Sequence, residues 1–108
     1  MAPARTFRDL LIWKKAHQFV LQRYELTRQL RRSAVSIPAN IAEGFVKRGI
    51  ADKFRYLNIA QGSLEESRYY LILASDLGLA DLSALEESVD ECSRMIEAYS
   101  QTLRRSIA

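Results

Sequence analysis

The chain is poor in the residues that interrupt or cross-link a fold. Its 108 residues include one cysteine, one histidine, two prolines and four glycines. A single cysteine excludes an internal disulfide framework and any cysteine-cluster zinc site. A single histidine leaves no histidine-based metal set. So few glycines and prolines argue against an all-β fold, which needs a turn about every ten residues. Long apolar runs are also missing. The longest begins at Tyr69 and ends before Ser75, far short of the roughly 20 residues that span a bilayer. Met1 through Thr6 show no secretory pattern. No nucleophile–base–acid set, phosphate-binding glycine loop or metal spacing is visible. The expectation is a cytoplasmic, all-α, non-enzymatic protein with no cofactor and no membrane partner.

What is present is a divided charge. The net charge is +3, with 48% apolar and 27% charged residues, ordinary for a globular chain. Residues 1–55 hold 12 Lys or Arg and 4 Asp or Glu, giving +8, and residues 56–108 hold 4 and 9, giving −5. A basic front and an acidic back serve either charge complementarity between helices or a basic surface that meets a polyanion.

Periodicity places the elements. Leu85, Val89, Cys92, Ile96, Tyr99 and Leu103 recur at alternating spacings of four and three, the seam of a bundle helix. Ser83 and Glu86 match a capping box. Gly78 reads as the left-handed stop of the preceding helix. That helix has one stripe through Phe54, Leu57, Leu64 and Leu71, and a second face with Tyr56, Ile59, Tyr69, Tyr70 and Leu73. The second face is the candidate oligomer interface. Gly62 next to Ser63 suggests a close helix crossing. The expected helices are about 7–22, 24–45, 50–77 and 84–106, in one domain spanning 1–108. The first 45 residues resist this division. From Thr6 to Ser36 there is neither glycine nor proline, hence no turn signal. One helix over residues 7–45 would be roughly 58 Å long, whereas a compact domain of this size has a radius of gyration near 13 Å. An antiparallel pair needs a connection of about 2–5 residues, and none is visible. Pro38 adds an expected kink.

The run from Arg28 through Arg31-Arg32-Ser33-Ala34-Val35-Ser36-Ile37-Pro38-Ala39-Asn40-Ile41-Ala42-Glu43-Gly44 to Phe45 strongly resembles small bacterial four-helix-bundle proteins encoded in intervening sequences of large-subunit ribosomal RNA genes. The same family looks like the accessory variability protein of diversity-generating retroelements. Phe7-Arg8-Asp9-Leu10 with Ile12-Trp13-Lys14-Lys15-Ala16, Ile59 through Glu66, and Leu73 through Gly78 match as well. The resemblance covers about residues 6–103. It implies an up-down-up-down four-helix bundle that closes into a ring-like homo-oligomer, a homopentamer. It also implies a connection of about a dozen residues between the first two helices, which is missing near residues 22 and 23. Either the loop is lost, forcing a continuous helix or a swapped pairing between subunits, or a segment is omitted from the sequence. The omission is the expected case.

Arg28, Arg31 and Arg32 fall on one side of the second helix, with Arg23 one turn away and Lys47 and Arg48 at the far end. These six are candidate phosphate contacts, with Lys14 and Lys15 as a weaker pair. The competing reading is a set of salt bridges to the acidic last helix. Asn40, Glu43 and Ser36 read as satisfying the backbone near Pro38, His17 as a packed histidine, and Cys92 as a small buried hydrophobe. The expected function is an oligomeric bundle that binds RNA or DNA without reading bases. The alternative is a protein-interaction scaffold with no nucleic-acid role.

Overall fold

The computed structural model describes residues 3–107, so residues 1, 2 and 108 of the expected domain lie outside the described residues. A 3-10 turn at Phe7–Asp9 leads into three helices: α1 Leu11–Phe45, α2 Ile50–Asp76 and α3 Ser83–Ser106. The fold is all-α as expected, with no strand among the described residues. The helix count is corrected. Residues 7–22 and 24–45 do not form two helices with a join at 22 and 23; the backbone runs through as the single helix α1. Nothing in the chemistry there stops a helix: Arg23, Leu26, Gln29 and Leu30 all keep helical rotamer freedom. Once a helix is nucleated, each added residue gains one hydrogen bond.

α1 and α2 form an antiparallel pair joined at Val46–Gly49. The Lys53 ammonium donates to the Phe45 carbonyl at 2.7 Å, closing the end of α1. Small polar residues bring the two helices together. The Ser33 and Ser67 hydroxyls meet at 2.7 Å in a buried contact, and Ser36 meets Ser63 at 2.7 Å. Each hydroxyl has one proton, so one is spent between helices while Ser67 also reaches the Ser63 carbonyl at 2.9 Å. Asn40 donates to the Ser36 carbonyl and hydroxyl, at 2.7 and 2.9 Å, so its role is structural, as expected. Ser36 itself does not bond back along α1 but crosses to α2. A Cβ on Gly44 would stand 2.9 Å from Tyr56 Cβ, while one on Gly62 would meet nothing within 4 Å. The close crossing is therefore built on serines and Gly44, not on Gly62 as expected.

α2 also carries the contact to α3. Leu57, Ala60, Leu64 and Ile96 are buried together, with Val89, Tyr99 and Leu103 packed against them. Arg68 pairs with Asp90 across these helices. Gly78, at φ +70°, ends α2 as expected. Its amide donates to the Ser75 carbonyl at 2.9 Å and the Leu79 amide to the Ala74 carbonyl at 3.0 Å, a Schellman closure. α3 starts at Ser83, but the capping box does not form: the Ser83 amide and hydroxyl both donate to the Asp81 carboxylate, at 3.1 and 2.9 Å.

α1 and α3 both pack on α2; their backbones stay apart, but Ile37 and Ile41 of α1 reach the same core as Val89, Ile96, Tyr99 and Leu103 of α3. The seam of α3 is accordingly incomplete. Ile96 is buried, but Leu85 and Cys92 are exposed, which corrects the expectation of a buried Cys92. The paired positions of α1 and α2 add to 99 or 100 (33 with 67, 36 with 63, 44 with 56), so Asp76 lies level with about residue 24. Residues 11–23 project past the end of α2. The radius of gyration is 20.4 Å and the long axis 75 Å, against about 13 Å for a compact chain of this length. Among the described residues, no helix is long and apolar enough to cross a membrane.

Two glycine substitutions have opposite expected signs. Gly44→Ala forces its Cβ onto Tyr56 and should destabilise by about 1–3 kcal/mol. Gly62→Ala points into open space and should stabilise by roughly 0.5–1 kcal/mol. Urea denaturation of the two variants beside the parent checks both; equal shifts would contradict the described α1–α2 contact.

Candidate nucleic-acid interface

The basic residues of α1 divide by whether an acid already holds them. Arg28 is held by Glu25, with Nη2–Oε1 at 2.7 Å and Nε–Oε2 at 3.2 Å. Gln29 donates to the same Glu25 carboxylate at 2.9 Å. The Arg28 bonds, then Gln29, hold the Glu25 carboxyl below its usual range. Arg32 pairs with Glu66 of α2 and donates through Nε to Gln29 at 3.0 Å. Glu66 also accepts from the Tyr70 hydroxyl at 2.8 Å. The Tyr70 bond first, and Arg32 after it, lower the Glu66 carboxyl. The same Glu66 bond raises the Tyr70 hydroxyl. Both arginines remain exposed, but each has a carboxylate neutralising it.

Arg23, Arg31, Lys14, Lys15 and Arg48 have no carboxylate within ion-pair distance among the described residues. All five are exposed. Arg23, Arg28 and Arg31 share a shallow hollow of 390 Å³ with Phe19, Val20, Tyr24 and Thr27. The pattern is three pairs four residues apart: Phe19 with Arg23, Tyr24 with Arg28, Thr27 with Arg31. That spacing puts each pair on one face. It was readable in the sequence, yet the aromatics of this face were not among the expected site residues. Lys47 lies elsewhere, its ammonium 5.1 Å from the Tyr56 ring centre. With Arg48 it lies beyond the end of α1 at Phe45, which is itself about 21 Å along the helix from Arg31. The eight expected cations are thus spread along and around the helix rather than gathered in one pocket: Lys14 and Arg23, nine residues apart, fall on opposite faces of α1.

The competing set of salt bridges from the basic helix to α3 is not formed among the described residues. α3 spends Asp90 on Arg68 of α2 and Glu97 on its own Arg104. Of the expected interface residues, Tyr56, Tyr70 and Leu73 are half-buried. Tyr56 lies beside Gly44, and Tyr70 and Leu73 line a hollow shared with Leu26 of α1. Ile59 and Tyr69 are exposed, with the Tyr69 ring 5.9 Å from that of Tyr70. His17 is exposed rather than packed in a core, and stacks on Trp13 at 4.8 Å between ring centres. Glu43 is exposed.

Because Glu66 is lowered in the folded chain, the unfolded chain binds its proton more readily. Its contribution is present above the ordinary glutamate value of about 4.3 and is lost as pH falls through the lower folded value. Thermal midpoints measured from pH 6 down to pH 3 should fall, and should fall less for Glu66→Gln than for the parent. An identical fall in both would remove Glu66 from the α1–α2 contact.

The family model described as "23S rRNA-intervening sequence protein" matches residues 8–98. No curated protein matches the chain.

Proposed function

The chain belongs to the 23S rRNA-intervening sequence protein family, and from that premise we propose that it is a non-enzymatic, self-associating helical-bundle protein of the cytoplasm. It binds nucleic acid through phosphate contacts along α1 and reads no bases. One observation carries the reading: Lys14, Lys15, Arg23 and Arg31 lie exposed along α1 without acid partners among the described residues, and the ion pairs of α3 go to Arg68 and Arg104 rather than to α1. Cations held this way attract a phosphate backbone and release its counterions on contact. Contact through phosphate accepts RNA and DNA alike. The family name supports RNA as the physiological form.

A second reading is a protein-interaction scaffold with no nucleic-acid role. The observation favouring it is the apolar surface left bare on the same helix: Ile12 is 78% exposed and Tyr24 68%.

Fluorescence anisotropy with labelled RNA and DNA duplexes separates the two across a salt series. Four phosphate contacts should give a log–log salt slope of about −3 to −4. Arg23→Ala with Arg31→Ala should weaken binding to every sequence and reduce the slope by about 2. No binding at 50 mM salt, or a slope the double variant leaves unchanged, would overturn the phosphate reading and leave the scaffold.

A further inference from the structure

Two aromatic rings near the projecting arm of α1 have nothing resting on them. Most rings among the described residues meet another ring or a cation. Trp13 takes Phe7 and His17, Tyr69 meets Tyr70, and cations lie over Phe45, Phe54 and Tyr56. Tyr99 packs against the core. Phe19, 49% exposed, and Tyr24, 68% exposed, have no such partner among the described residues. Both line the hollow that also holds Arg23 and Arg31, two arginines with no carboxylate at ion-pair distance.

The shape of the hollow follows from helical geometry. Val20 and Thr27, seven residues apart, differ by only about 20° around the axis and form a floor of short side chains. The Thr27 hydroxyl donates to the Arg23 carbonyl at 2.8 Å, so its proton is already spent. Phe19 and Arg23 stand on one side of this floor, Tyr24 and Arg28 on the other, and Arg31 at its C-terminal end. Phe19 and Arg23 also share a cavity of 120 Å³ with Leu77 and Leu79, so the turn after α2 backs that wall. Arg28 is held by Glu25. The hollow thus presents two flat apolar faces and two uncompensated cations, with no acid among its lining residues.

We infer that this hollow takes an unpaired stretch of nucleic acid, with one base stacked on Tyr24, another on Phe19, and phosphates on Arg23 and Arg31. The inference rests on the phosphate reading above and narrows it to a single strand. The two rings are five residues apart, about 7.5 Å along the axis, against roughly 3.4 Å per nucleotide in a duplex strand. In a duplex each base face is covered by the neighbouring pair, so rings at that spacing meet only sugar and phosphate. An unpaired strand opens to the spacing and lays a base face on each ring. Stacking of this kind accepts every base, so no base edge is read. Arg23 and Arg31, about 12 Å apart along the axis, bracket the same stretch of backbone. An apolar peptide is a poorer occupant, because it would cover two arginines without a counter-charge.

Fluorescence anisotropy tests this with three labelled probes: a single strand of about 12 nucleotides, the same strand paired with its complement, and the same strand made abasic at its central positions. At about 50 mM salt the single strand should bind at least tenfold more tightly than the duplex, because two stacked bases are together worth at least about tenfold. The abasic strand should fall to the duplex level. Phe19→Ala with Tyr24→Ala should bring the ratio of single-strand to duplex affinity to about one, with helical circular dichroism kept. Equal affinity for single strand and duplex, or a preference for duplex, with a salt slope that Arg23→Ala and Arg31→Ala reduce, overturns the inference and keeps the phosphate reading. An abasic strand bound as tightly as the intact one overturns it as well, and so does a ratio that the ring variants leave unchanged. Absence of binding to every probe overturns both readings.

Discussion

The backbone of α1 constrains the rest of the molecule. From Leu11 to Phe45 the helix meets one proline and, until Gly44, no glycine. Its middle therefore has no residue that would release the chain into a turn. Pro38 removes one amide donor but sits within the packed half, where Asn40, Ser36 and Ser63 hold the two helices together. The unpacked half has no such cost to meet. It extends an existing helix, so no new nucleus is needed. The consequence is geometric: a helix that cannot reverse near residue 22 cannot cover its own bundle.

α2 lies between the other two helices and packs along both. Toward α1 it offers Ser63, Ser67 and Tyr56, which allow close approach and direct hydroxyl contacts. Leu57 and Leu64 form a core that takes Ile37 and Ile41 of α1 as well as Ile96 of α3, and Arg68 adds one ion pair to α3 at its edge. The ion pairs of α3 go to Arg68 and Arg104 and none to a cation of α1 among the described residues. The charge division of the chain is thus neither cancelled internally nor distributed evenly. It remains as a basic helix and an acidic helix separated by a groove.

Much of this was legible before the structure. The α3 seam, the stop at Gly78 and the stripe through Leu57, Leu64 and Leu71 follow from spacing alone, because burial against a neighbour enforces a helical period. The departures have a common cause. Leu85 and Cys92 read as buried since periodicity marks a face as apolar without saying whether anything covers it. His17 read as packed for the same reason, and it stacks on Trp13 in the open. The division of residues 7–45 came from compactness, a rule about closed domains that an uncovered arm does not obey. Gly62 was assigned a close crossing from its type alone, whereas the contact is made one residue on, by Ser63. Six of the eight basic candidates lie on α1, with Lys47 and Arg48 in the connection after it, but sequence could not show that Glu25 and Glu66 already occupy Arg28 and Arg32.

α1 is one helix through residues 22 and 23, and the shape of the molecule follows from it. Spin labels on Lys14→Cys and Glu43→Cys, with Cys92→Ala and dilution by unlabelled chain, measure it directly by pulsed dipolar spectroscopy. A continuous helix puts 29 residue steps between the labels, about 44 Å at 1.5 Å per residue. A distance below about 20 Å, as from an arm folded back on its own chain at helix-packing separation, would contradict it.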